Sequence, residues 1–195
     1  MWLDATRFRE LILNENLISK PSYDTDEEWQ ERVGFIEGNQ FDLTIDRLFV
    51  AKDQDPLPFI GKYSRELYSY DEIEPVYDTH RREFVWTLDA GKHYLGMTGE
   101  LVYFPDFIKG VLAPRSSCFT NGFLPWVTWI SPGFCGKLRF GIGACATSML
   151  ARGARVITLN AYELKQASTQ PYAGVWGKSG GFPDKITTDG VERAH

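Results

Sequence analysis

The spacing of apolar residues along this chain changes once. Between Ala5 and Asn16, Phe8, Leu11 and Ile12 recur at helical spacing, with Asp4 or Thr6 as the cap. Thr25 to Val33 predicts a second short helix whose acids crowd its positive end. From Gln40 the period becomes two. Phe41, Leu43 and Ile45 alternate with Asp42, Thr44 and Asp46, which predicts a half-buried strand. Further strands are expected at 83–88, 93–97, 100–104, 107–113, 137–143 and 155–161. Gly, Pro, Asn and Asp punctuate them at Asp89-Ala90-Gly91, Pro105-Asp106, Asn121-Gly122, Pro132-Gly133 and Arg152-Gly153. Many short strands at regular spacing predict a mainly β domain over 1–195, a distorted barrel or jelly-roll-like sandwich. Its short helices fall within 1–35. The Gly- and Pro-rich stretch 170–195 is expected to be a flexible arm, and Asp53 to Asp71 a polar surface excursion.

The chain has 195 residues, enough to bury a substantial core, and a net charge of −5 with no block of Lys or Arg. That argues against a duplex-binding surface, so no nucleic-acid partner is expected. It leaves room for a small anion held by local cations. No apolar run approaches the roughly 20 residues that span a bilayer, so no membrane partner is expected. The N-terminus lacks the pattern of a secretory signal. Three scattered cysteines suggest free, mostly buried thiols in a reducing compartment, and the expected location is the cytoplasm, or the cytoplasm of an infected host. No CxxC pair and no HxE element is present, so zinc is not expected.

Three stretches carry candidate chemistry. Arg115-Ser116-Ser117 follows the apolar Val111 and Leu112. Successive N–H groups, two hydroxyls and a guanidinium can chelate phosphate oxygens, although the same tripeptide suits a solvated loop. Ser131-Pro132-Gly133-Phe134 reads as a β-turn, alone no more than a hairpin. In the tail, Tyr172 can stack on a base or sugar and Lys178 can bind phosphate, with Gly177, Gly180 and Gly181 permitting close approach; the alternative is a disordered terminus. Trp126 and Trp129 lie between the first two stretches and suit base stacking, core packing or a subunit interface.

Taken in order, these stretches resemble the trimeric dCTP deaminase and dUTPase superfamily over roughly residues 35–185. Ile36 to Phe49 is similar to its first strand, and Leu88 to Asp106 to its run ending in a Glu and a Pro-Asp pair. Arg115-Ser116-Ser117 is similar to its phosphate-binding motif, Ile130 to Ile142 to its base-and-water hairpin, and Pro171-Tyr172 with Gly177-Lys178 to its closing tail. The resemblance implies a dUTPase-like fold and a homotrimer with sites between subunits. It implies a pyrimidine deoxynucleoside triphosphate as ligand, with Mg2+ carried on the phosphates. Arg115, Ser116, Ser117 and Lys178 would hold the phosphates. Trp129, Ile130, Gly133 and Tyr172 would face the base or sugar.

Three departures bear on activity. Relatives carry an Asp before the Pro-Gly turn, where this chain has Ser131. Deaminases carry a Glu on the following strand, at or next to Gly141 here. A second family Arg is replaced by Thr120. Moving a proton from water to the leaving amine needs an acid–base group, which glycine lacks. Two readings follow. One is an enzyme acting on a standard or modified pyrimidine nucleotide by deamination or hydrolysis, with Glu100, Ser131, Asp106 or Asp184 as replacement groups. The other is a catalytically silent trimer retained for nucleotide binding, regulation or assembly.

Overall fold

In the computed structural model, residues 2–36, 38–53, 60, 62, 68–126 and 128–172 are described. The predicted arm beyond 172, including Gly177, Lys178, Gly180, Gly181 and Asp184, lies outside them, as does most of 53–71.

Two helices open the chain, α1 (Ala5–Asn14) and α2 (Asp26–Gly34). The Asp4 carboxylate accepts from Arg7 N–H and caps α1, while Thr25 and Glu28 form a reciprocal capping box on α2. Each helix is short and depends on tertiary burial for its stability. Phe8, Leu11 and Ile12 of α1 and Trp29 and Val33 of α2 supply that burial.

The strands follow as β1 (Gln40–Ala51), β2 (Tyr70–Ile73), β3 (Val76–Asp78), β4 (Glu83–Leu88), β5 (His93–Tyr103) and β6 (Ile108–Pro114). After a single helical turn, α3 (Ser116–Thr120), come β7 (Phe123–Pro125), β8 (Trp129–Ile130), β9 (Cys135–Ala144), β10 (Ser148–Ala151) and β11 (Arg155–Glu163). Among the described residues the larger sheet runs β7-β9-β5-β1-β11-β6-β8, with β2 also paired to β1, and a smaller sheet runs β10-β4-β3. The larger sheet curls into a half barrel, and the fold is mainly β with short N-terminal helices, as expected.

The two strands predicted at 93–97 and 100–104 are one. The register of β5 against β9 slips between Met97 and Leu101, so a bulge takes up Thr98-Gly99-Glu100 without ending the strand. Tyr23 packs where a side chain on Gly99 would sit. The bulge keeps Thr98 and Glu100 both in the interior. Leu43, Ile45 and Leu48 of β1 and Ile157 and Leu159 of β11 are fully buried, so the core lies beneath the β1–β11 pair. The outer face of that pair carries the polar residues of the site.

Candidate functional site

β6 ends at Pro114 and delivers Arg115 to a corner. The Arg115 amide donates to Val156 O at 3.1 Å, which ties the corner to β11. Its guanidinium meets the Asp42 carboxylate of β1. Beside this pair opens a cavity of about 410 Å³, lined among others by Arg32, Asp42, Arg115, Ser116, Arg155 and Thr158. Ser116 and Ser117 are exposed, and Ser117 borders a smaller cavity that Arg155 also lines. Thr120 turns back on its own helix, where its hydroxyl donates to Ser117 O at 3.0 Å.

The hairpin forms the turn that its sequence predicts. Phe134 N–H donates to Ser131 O at 3.2 Å and Gly133 has φ of +81°, a type II geometry that favours glycine. A side chain on Gly133 would also meet Pro171, at 2.7 Å from its Cβ. The missing side chain therefore lets the chain after β11 fold back. Tyr172 N–H donates to Pro132 O at 2.6 Å, and its ring lies 5.6 Å from that of Phe134. A second cavity, of about 270 Å³, results, lined among others by Trp129, Ile130, Ser131, Lys137, Arg139 and Tyr172. Lys137 is held by Asp46 at 2.9 Å. Burial, with the charge of Arg47 beside it, pushes the Arg139 guanidinium down to about 10, so it stays charged at neutral pH.

The sequence-derived residues thus gather in two places. Arg115 and Ser116 line one cavity, and Trp129, Ile130, Ser131 and Tyr172 the other. No described residue lines both. Among the described residues the hairpin cavity has no carboxylate in its lining.

Gly141 lies beneath Trp126. A Cβ at position 141 would be 2.5 Å from Trp126 Cε3, and one at Gly143 would be 3.7 Å from Cζ2. Trp126 N–H donates to Gly141 O at 2.8 Å, and the indole stacks on His93 with centroids 4.8 Å apart. Lys137 and Arg139 share a strand face with Gly141 and Gly143, and the indole roofs the two glycines.

Glu100 is 0% exposed. Its carboxylate accepts from the Thr44 amide at 3.0 Å, from the Thr44 hydroxyl at 2.8 Å, and from Arg32. Burial pushes its carboxyl up, and the Arg32 charge opposes that shift. Arg32 stands between it and the Arg115 cavity, and also pairs with Asp24. Glu100 therefore anchors α2 to the sheet. Asp106 is exposed on a turn and lines neither cavity. Sequence reasoning missed Asp42, Arg155, Lys137 and Arg139 as site residues. Counting back by twos from Gly141 finds Lys137 and Arg139, while nothing in the local sequence joins Asp42 to Arg115. Among the described residues no group of three or more His, Cys, Asp or Glu gathers as metal ligands. The three cysteines are free, Cys118 buried and Cys145 exposed.

No protein-family model matches the chain. The dCTP deaminase (dUMP-forming) of Coprothermobacter proteolyticus is 28% identical over 144 residues, which are 73% of this chain and 70% of that protein. The protein of the same name from Leifsonia xyli subsp. xyli is 30% identical over 143 residues, 71% of this chain and 69% of that one. In structure, the 2'-deoxycytidine 5'-triphosphate deaminase of Agrobacterium tumefaciens is similar with a TM-score of 0.58 at 16% identity, over 82% of this chain. The match covers 47% of that protein, so this chain spans about half its length. The chain belongs to the dCTP deaminase and dUTPase superfamily of nucleotide metabolism.

Proposed function

We propose that this protein binds a pyrimidine deoxynucleoside triphosphate between subunits of a homotrimer and lacks the cytosine deamination for which its relatives are named. The observation that carries the second half is the indole of Trp126 lying on Gly141. A deaminase needs a carboxylate there to move a proton from water to the leaving amine, and a positioned acid–base group contributes about 10²–10⁴-fold. Among the described residues, position 141 offers neither the carboxylate nor the space for one. Glu100 is no replacement, because its oxygens are engaged by Thr44 and Arg32 in the interior.

The binding half rests on the preserved corner and hairpin. Arg115 and Ser116 hold phosphate oxygens through charge-assisted bonds. Ser117 and Lys178 complete that set in this reading. Trp129, Ile130 and Tyr172 enclose the base or sugar, and Gly133 lets the tail approach. The two cavities share no lining residue within one chain, which supports completion of the site by a neighbouring subunit. Phe119, Trp126 and Trp129 are 54%, 52% and 59% exposed and offer apolar surface for that contact. Magnesium arrives on the phosphates. Asp42, the one carboxylate among the described residues lining the Arg115 cavity, is already engaged by Arg115, so the described residues supply no ligand set of their own there.

A thermal-shift panel over standard and modified deoxynucleoside triphosphates with magnesium tests binding. At 100 times its dissociation constant a true ligand stabilises by about 2.7 kcal/mol. Shifts with pyrimidine triphosphates, and none with the matching nucleosides, support the reading. A panel without any shift contradicts it.

A further inference from the structure

We propose that Arg155 is a phosphate-binding residue, working beside Arg115 and Ser116 from a different strand. The inference rests on the nucleotide-binding reading above and adds a residue that neither the motif nor the hairpin contains.

The backbone aims it. β1 and β11 pair in register from Gln40↔Asn160 to Leu43↔Ile157, and the next pair is Thr44↔Arg155. One residue of β11, Val156, is therefore extra. In a regular strand, position 156 would share a face with Thr158 and Asn160, which line the cavity. The bulge instead buries Val156 and Ile157 together, at 1% and 0% exposure, and turns Arg155 to the cavity side. Bulges of this kind re-aim a side chain next to functional sites.

The charges leave it available. Three guanidiniums line this cavity. Arg32 is committed to Glu100 and Asp24, whereas Arg115 meets Asp42 and keeps further N–H donors for an anion. Among the described residues no carboxylate pairs with Arg155. It also lines the smaller cavity bordered by Ser117, so it shares one cavity with Ser116 and another with Ser117. Burial, and then the nearby charge of Arg155, pushes the Arg115 guanidinium below its usual range. Two like charges lining one cavity repel each other, and an anion between them relieves the repulsion. The planar fork of arginine suits non-bridging phosphate oxygens.

The test is calorimetric titration of the full chain with inorganic tripolyphosphate and, separately, with dCTP. Arg155→Gln should weaken both by about ten- to a hundredfold. Its melting temperature should stay near that of the parent, because the side chain is exposed. Arg155→Lys keeps the charge and loses the fork, so it should fall between the two. It also serves as the decisive variant if the glutamine form is unstable. If Arg155→Gln and Arg155→Lys bind tripolyphosphate as tightly as the parent while Arg115→Ala does not, the role of Arg155 is refuted and the corner reading survives. If Arg115→Ala is also unchanged, the corner reading falls with it. A parent protein that binds neither probe overturns both.

Discussion

Gly141→Ala should destabilise the protein, although the same change at an open strand position is neutral or helpful. The backbone of Gly141 is not in the left-handed region, so alanine meets no φ penalty there. Removing glycine's freedom in the unfolded chain normally stabilises by about 0.4–1 kcal/mol. Here the new methyl would lie 2.5 Å from Trp126 Cε3 and 3.2 Å from Cδ2 and Cζ3. Those contacts cannot coexist, and the Trp126 amide is tied to Gly141 O at 2.8 Å. The indole must rotate away, losing its stack on His93, about 0.5–1.5 kcal/mol. Overpacking of this kind costs about 1–3 kcal/mol in total, so the net destabilisation should be about 1–2 kcal/mol after the entropic gain. With the indole removed by Trp126→Ala, the same glycine replacement should become neutral or stabilising. The double-mutant cycle should then show coupling of at least about 1 kcal/mol. Urea unfolding at fixed protein concentration, with an unchanged slope, measures it. A Gly141→Ala variant as stable as the parent, or a cost unchanged by Trp126→Ala, would refute the placement of the indole and the claim that it excludes a carboxylate.

Other expectations follow from the buried charges and the split site. Arg32→Met leaves the Glu100 carboxylate in the interior without its cation, a loss of about 3–5 kcal/mol at neutral pH. Part of that loss should return in acid as Glu100 takes up a proton, visible as a smaller gap between the unfolding midpoints of variant and parent at pH 5. Asp46 behaves in the opposite sense. Burial opposes its ionisation, but hydrogen bonds and charges from Lys137 and Arg152 hold its carboxyl below the usual range. Its contribution to stability is present above about pH 4 and is lost as pH falls through its folded value. Asp46→Asn should therefore be less stable than the parent at pH 7, with the gap closing in thermal unfolding as the Asp46 carboxylate is protonated in acid. Sedimentation at micromolar concentration should give a trimer, and a monomer there would remove the shared site.

The fold was legible wherever a segment repeats a period. β9 alternates over its ten residues, β1 and β11 do so in stretches broken by bulges, and α2 announces itself through the acids of its first turn. β7 and β8, of three and two residues, are too short to show a period, and the bulge at Thr98-Gly99-Glu100 imitates a strand boundary. The corner and the turn were legible because their chemistry is local. Glu100 was misleading for a physical reason. A carboxylate amid apolar strand residues suggests chemistry, and only the arrival of Arg32 from a distant helix turns it into an anchor. Arg155 was hidden by a register slip that strict alternation does not contain.

Nucleotide binding without deamination can be read in a single proton NMR record of dCTP incubated with the protein and magnesium. Saturation should transfer from the protein to the base and sugar protons, while the cytosine H5 and H6 signals persist unchanged over hours. Growth of uracil H5 and H6 signals at a rate set by protein concentration would contradict it.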